Sequence, residues 1–222
     1  MIQKQVKLVK YMLYNYIAVE GNIGAGKTTL ASMIAEQFNG KLILEQFDDN
    51  PFLAKFYENP ERYAFPLELS FLAERFQQLK TELASQELFR DFTISDYFLN
   101  KSVIFARKTL NEDEYQLFFR LFNIMNANLP RPDLLVHLYV DVNRLQNNIK
   151  RRGRSYEQKI PDEYLKNIQS SYFDYLKQQK HIRILLLDVN ALDFVENERD
   201  YNLIVDCINK DYPVGITTLV LE

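Results

Sequence analysis

Tyr16-Ile17-Ala18-Val19-Glu20-Gly21-Asn22-Ile23-Gly24-Ala25-Gly26-Lys27-Thr28-Thr29-Leu30 is the stretch whose reading decides the fold. Tyr16 to Glu20 is a short, largely aliphatic run closed by a glycine, which reads as a strand. Gly21 to Thr28 then fills every fixed position of G-x-x-x-x-G-K-[ST], and residues at helical spacing from Lys27 to Phe38 follow. The glycines let consecutive backbone N–H groups turn inward around phosphate oxygens, while the start of the helix adds positive potential. Gly21, Asn22, Ile23, Gly24, Ala25, Gly26, Lys27, Thr28 and Thr29 are therefore the expected phosphate-binding set. Within it, Lys27 reaches the β and γ phosphates and the Thr28 hydroxyl is suited to magnesium. A chance glycine-rich turn would lack the strand before it and the helix after it.

Outward from this unit, short apolar runs at Lys41 to Glu45, Phe92 to Asp96, Leu134 to Val140 and Ile182 to Asp188 read as further strands. Ile184-Leu185-Leu186-Leu187 lacks polar alternation, as expected of a strand covered on both faces in a parallel sheet. Longer helix-period segments separate the strands: Glu61 to Phe89 behind Pro60, Lys101 to Leu110, Glu112 to Asn128, and Asp162 to Gln179 behind Pro161. The expected fold is α/β: a five-stranded parallel sheet flanked by helices. So much helix between the second and fourth strands suggests a helical layer over the sheet's carboxyl edge, where open α/β sheets bind ligands.

The 222 residues are 47% hydrophobic and show no internal repeat and no Ser/Gly/Pro-rich linker, so residues 1–222 are expected to form one domain. Cys207 has no second cysteine to pair with, which excludes an intramolecular disulfide and fits a reducing compartment, the cytoplasm by default. No apolar run approaches the roughly 18 residues of a membrane span. Met1 to Lys10 alternates lysines with isolated aliphatics where a signal peptide would build an apolar core. With 27 basic against 30 acidic residues, the charge argues against a nucleic-acid coat, so neither membrane nor nucleic acid is an expected partner.

A phosphate loop alone does not choose among kinases, GTPases and motor ATPases. The nearest approaches to the GTPase motif N-K-x-D, Asn100-Lys101-Ser102-Val103 and Asn209-Lys210-Asp211-Tyr212, both lack the fourth-place aspartate, and ring ATPases need more chain. A small P-loop kinase remains.

Three further features lie in order behind the Gly21 to Leu30 loop: Glu45 with Asn50-Pro51-Phe52-Leu53, Tyr57-x-x-Pro60-Glu61-Arg62-Tyr63, and Arg152-Gly153-Arg154-Ser155-Tyr156-Glu157-Gln158. Together, over about residues 15 to 190, they resemble the deoxynucleoside kinases, the group of deoxyadenosine, deoxyguanosine and deoxycytidine kinases. The resemblance implies transfer of the γ-phosphoryl of ATP, with Mg2+, to the 5′-hydroxyl of a deoxynucleoside, and assembly as a homodimer. It implies Glu45 as general base, and a lid over about residues 151–160 on which Arg152 and Arg154 clamp phosphates. It also implies Tyr57 and Glu157 on the sugar 3′-hydroxyl, Leu53 as an apolar wall, Phe105 stacked on the base, and Asp188-Val189-Asn190 around the donor's adenine.

Two departures stand out. Glu68 occupies the place of a glutamine that reads the base edge. An ionised carboxylate only accepts hydrogen bonds, so Glu68 by itself favours guanine, whose N1–H and N2–H are adjacent donors. Arg75, seven residues on and on the same helix face, is positioned by that reading to pair with Glu68 and supply the donor adenine needs. The third strand, moreover, lacks the arginine that in the family holds the catalytic carboxylate: no arginine occurs from Phe92 to Ala106. Asp96 at that strand's end is then the acid for magnesium's hydration shell, and Lys101, about one turn into the next helix, the replacement cation. A purine deoxynucleoside kinase is the leading function. A nucleoside monophosphate kinase and a nucleotide-binding regulator that has lost catalysis are the alternatives.

Overall fold

The computed structural model describes residues 11–46, 50–85 and 87–222. Its strands are β1 (Tyr16–Gly21), β2 (Lys41–Ile43), β3 (Thr93–Ser95), β4 (Leu134–Tyr139), β5 (Arg183–Asp188) and β6 (Gly215–Val220). They form one sheet in the order β2-β3-β1-β4-β5-β6, with every neighbouring pair parallel. The helices are α1 (Lys27–Gln37), α2 (Leu53–Glu58), α3 (Pro60–Ala84), α4 (Lys101–Thr109), α5 (Glu112–Asn126), α6 (Val142–Arg152), α7 (Asp162–Gln178) and α8 (Glu198–Ile208), with a 3-10 turn at Ser155–Glu157.

The parallel α/β sheet is as expected, but it has six strands and not five. β6 lies at the sheet's edge and alternates half-buried with exposed residues through Thr217-Thr218, so it lacks the continuous apolar run that marks a doubly covered strand. Several boundaries also shift. β2 ends at Ile43, two residues before Glu45, and Lys101 is the first residue of α4, not one turn into it. α3 stops at Ala84, short of Phe89; the remainder of that expected helix includes Gln86, outside the described residues, as are Met1 to Lys10.

β1 is buried along its whole length and carries the fold's centre. Ile17 and Val19 pack with Leu30 and Ile34 of α1 and with Leu134, Val136 and Leu138 of β4 in the main core. A second core joins α3, α4 and α5 through Leu72, Leu79, Val103, Phe118 and Phe122, and forms the expected helical layer beside β2 and β3. The connection leaving β1 runs toward β2 while that leaving β4 runs toward β5, so the carboxyl ends between them open into a crevice. Among the described residues no helix is long and apolar enough to cross a membrane.

His137 of β4 is buried beneath this crevice with Nδ1 lacking a hydrogen-bond partner and its ring 4.9 Å from that of Tyr172. Burial, with a smaller push from Lys27, lowers it from 6.5 to about 3. Between those values the unfolded chain binds a proton that the native state refuses, so stability is lost as pH falls through the window. The loss is expected to approach 1.4 kcal/mol per pH unit, roughly the linkage limit for one proton. Urea midpoints of wild type and His137→Leu measured from neutral pH downward test this: the variant's profile should be flatter, and parallel profiles would reject the assignment.

Candidate active site

The phosphate loop keeps its shape through backbone conformations open to glycine. Gly24 and Gly26 have φ of +82° and +88°, and a Cβ at Gly24 would stand 2.9 Å from the Leu145 carbonyl oxygen. Gly26 begins α1 without a side-chain cap and without an acidic residue in the first turn, so the helix offers its free N–H groups to an anion. The loop is fixed from behind: Asn22 Nδ2 donates to the Leu165 carbonyl at 2.8 Å and Asn148 Nδ2 to the Gly24 carbonyl at 2.9 Å. Lys27 Nζ donates to the Asn22 carbonyl at 3.0 Å. Burial, then the neighbouring Lys101 charge, lowers the Lys27 ammonium to about 8.

Gly24 to Thr29 form one wall of an open cavity whose other side carries Arg144, Arg151, Arg152 and Arg154. Gly21 and Asn22 stand behind this wall, and Ile23 borders the neighbouring cavity. Asp188 does not line the donor cavity. Its carboxylate accepts from Asn190 N at 3.1 Å and Nδ2 at 2.7 Å, which shapes the turn, and Val189, Asp193, Phe194 and Val195 face the cavity instead. Arg144 holds this turn by donating to the carbonyls of Val189, Asn190 and Leu192. Nothing local in the sequence marks Arg144, because its partners lie some 45 residues away.

The neighbouring cavity is lined by the charged and polar groups of Lys27, Thr28, Glu45, Asp96 and Lys101 together with Leu53, Tyr57, Glu68, Phe105 and Glu157. Glu45 is held from two sides: Arg75 Nε and Nη2 reach its Oε1 at 2.7 Å each, and Lys101 Nζ bonds Oε2. Burial alone would raise this carboxyl, but Lys101 and Arg75 outweigh it and hold it at about 2. Asp96 accepts the Glu45 backbone N–H at 2.8 Å through Oδ1 and the Thr28 hydroxyl through Oδ2. It thereby joins the ends of β2 and β3 to the phosphate loop. A hydroxyl beside a carboxylate at a polyphosphate site suits Mg2+, which takes few protein oxygens and keeps most of its water; Thr28 and Asp96 fit that ion.

Arg75 corrects the sequence reading. It does not pair with Glu68, because seven residues of helix separate them by about 10 Å along the axis. Its third nitrogen, Nη1, instead donates to Ser102 Oγ at 2.7 Å. Glu68 is 3% exposed and forms no ion pair among the described residues; its Oε1 accepts from the Thr109 hydroxyl at 2.9 Å. Burial raises its carboxyl to about 7, with Arg75 and Thr109 pulling the other way.

The segment after α6 brings Arg152 and Arg154 back over both cavities. Both arginines bond the buried Glu157: Arg152 through Nε at 3.1 Å and Nη2, Arg154 through Nη1 at 3.4 Å. Tyr57 stacks on Tyr156 with ring centroids 6.1 Å apart, and burial followed by the Glu157 charge raises its hydroxyl. Phe105 presents its ring to the cavity, edge-on to Tyr172 at 6.4 Å. Glu20 was not singled out from the sequence. Fully buried at the end of β1, it accepts from Gly21 N at 3.2 Å, Phe98 N at 3.1 Å and the Tyr172 hydroxyl at 2.7 Å. Its only signal is a carboxylate in an otherwise apolar strand.

Known proteins share this arrangement. The sequence profile described as deoxynucleoside kinase matches residues 17–212. The chain is 36% identical over 195 residues to the deoxyguanosine kinase of Bacillus subtilis (strain 168), covering 85% of this chain and 93% of that protein. It is 31% identical to the deoxyadenosine kinase of Dictyostelium discoideum over 185 residues, 83% of this chain and 75% of that protein. Among solved structures, the deoxyadenosine kinase from M. mycoides with products dCMP and a flexible dCDP bound superposes with a TM-score of 0.75 at 25% identity, covering 87% of this chain and 98% of that one. With the match running from β1 through both cavities to Tyr212, the chain belongs to the deoxynucleoside kinase family.

Proposed function

We propose that the protein transfers the γ-phosphoryl group of ATP to the 5′-hydroxyl of a purine deoxynucleoside, deoxyguanosine ahead of deoxyadenosine. One observation carries this reading: Glu45 lines a single cavity together with Lys27 and Thr28 of the phosphate loop and with Tyr57, Glu68, Phe105 and Glu157. A phosphate loop, a carboxylate and side chains suited to a sugar and a base thus border one cavity.

In this mechanism the phosphate-loop N–H groups and Lys27 cradle the donor's β and γ phosphates. Tyr57 and Glu157 hold the sugar 3′-hydroxyl, Phe105 and Leu53 sandwich the base, and Glu68 reads its edge. Glu45 receives the 5′-hydroxyl proton as the oxygen bonds phosphorus and the γ-phosphoryl leaves ADP. Glu45 is a weak base, but the loose transition state puts little positive charge on the attacking oxygen, so orientation of the hydroxyl matters more than basicity. Lys101 and Arg75 fix the carboxylate's direction. Arg152 and Arg154, on a lid over about residues 151–160, move from Glu157 toward the transferring charge, where a guanidinium fork suits phosphate oxygens. Thr28 and Asp96 would hold Mg2+, directly or through its water, and the bound ion would supply neutralisation of phosphate charge.

Glu68 without a cationic partner favours the two donors of guanine, and a relative at 36% identity is a deoxyguanosine kinase. Exposed Leu117, Phe119 and Ile124 on α5 would be covered in a homodimer, and the free, buried thiol of Cys207 suits the cytoplasm. The test is purified protein with Mg-ATP and each of the four deoxynucleosides, with thymidine monophosphate as a further acceptor. Deoxyguanosine should give the highest kcat/KM. Transfer to thymidine monophosphate alone would replace this reading with a monophosphate kinase, and ATP binding without transfer would replace it with a regulator.

A further inference from the structure

Glu68 presents an unusual donor problem. Thr109 occupies one lone pair of Oε1, no hydrogen bond to Oε2 occurs among the described residues, and the side chain faces the cavity. Arg75, the one cation on the same face of α3, is committed to Glu45 and Ser102. Adenine presents an acceptor, N1, beside its amino donor, and among the described residues no cation hydrogen-bonds Glu68 so as to stand beside it and serve that acceptor. The donor then has to be a proton on Glu68 itself.

We propose that the charge state of Glu68 chooses between purines. The carboxylate accepts from guanine N1–H and N2–H, and the carboxylic acid gives one O–H to adenine N1 while its carbonyl oxygen accepts from the 6-amino group. The proposal rests on the acceptor site described under Proposed function. No bond to carbon or phosphorus is made or broken; a single proton is exchanged with solvent before the nucleoside binds.

The surroundings allow both forms. Burial lifts the carboxyl to about 7 while Arg75, Thr109 and the more distant Lys101 of α4 favour the charged form and Glu45 opposes it. Tyr57 of α2 and Tyr164 of α7 also face Glu68, and burial raises both phenols, so they remain neutral. From the lid, Glu157 is neutralised by Arg152 and Arg154. Arg75 and Lys101 are tied to Glu45, and Arg152 and Arg154 to Glu157, so protonation of Glu68 changes the hydrogen-bond pattern shown to the base without breaking an ion pair.

The experiment is a competition of equal deoxyguanosine and deoxyadenosine for Mg-ATP in one vessel, from about pH 6 to pH 8.5. The product ratio reports the ratio of the two kcat/KM values, so effects on the donor site and on Glu45 cancel. The guanine-to-adenine ratio is expected to rise about tenfold per pH unit, the limit for one proton. Glu68→Gln, which does not titrate, should give a ratio that does not change with pH. Thr109→Val, which takes a donor from the carboxylate, should lower the ratio about two- to tenfold at every pH. A pH-independent wild-type ratio, or a slope that survives in Glu68→Gln, overturns the proposal while the kinase reading stands. Failure of both nucleosides to accept phosphate at any pH overturns the acceptor site itself.

Discussion

Glu45→Gln is expected to lower kcat by about 10²- to 10⁴-fold, the range of a lost general base, while ATP still binds. The substitution keeps the side chain's shape and one acceptor oxygen but removes the charge between Arg75 and Lys101. Those cations have side chains only 6% and 9% exposed, so neither regains water when its partner is lost. Breaking a buried pair by neutralising one member costs about 3–5 kcal/mol, because an uncompensated charge remains. The variant should therefore be both slow and less stable, and single-turnover rates beside urea unfolding measure the two effects separately. A kcat within tenfold of wild type would remove Glu45 from proton transfer and leave it a structural anchor for Arg75 and Lys101.

Lys27→Ala should cost about 10²- to 10³-fold in kcat/KM, the usual worth of one preorganised charge at a transferring phosphate. Its stability effect should run opposite to that of Glu45→Gln. Lys27 is a half-buried cation whose partial desolvation and Lys101 neighbour lower it to about 8, so its removal relieves a penalty. The same shift gives a pH signature. In the unliganded protein the ammonium is lost as pH rises through about 8, so the wild-type KM for ATP should climb above that pH. The climb is limited to about tenfold per unit, one proton's worth. Initial-rate measurements across this range should show the limb in wild type and not in Lys27→Ala. A wild-type KM that stays level above pH 8 would mean that Lys27 keeps its proton and that the Lys101 charge is screened from it.

Legibility in the sequence followed the range of each interaction. The phosphate loop was readable because its backbone turns, its lysine and its hydroxyl lie in one contiguous stretch between a strand and a helix. The buried strands were readable because coverage on both faces demands unbroken apolar runs, and β6 escaped because its edge position leaves half its residues exposed. The turn Asp188-Val189-Asn190 lies after β5 as read, but it is Val189 that lines the cavity beside the phosphate loop, while the Asp188 carboxylate shapes the turn and Arg144, from α6, fastens it. Arg75 illustrates the limit of helical spacing. Seven residues share a face, yet the axial rise puts them out of reach, so the guanidinium finds Glu45 and Ser102 instead.

The sequence by itself determined the parallel α/β architecture, the anion site at the start of α1 and the residues that belong to the family's motifs, since each rests on local backbone geometry or on the order of short segments. Only the tertiary structure decided which charges touch. Glu45 and Lys101 are 56 residues apart in the chain and meet because the ends of β2 and α4 converge at the crevice. Their protonation was likewise out of reach of the sequence. It depends on how much water the surrounding helices exclude and which opposite charge replaces it, and these hold Glu45 at about 2 but lift Glu68 to about 7.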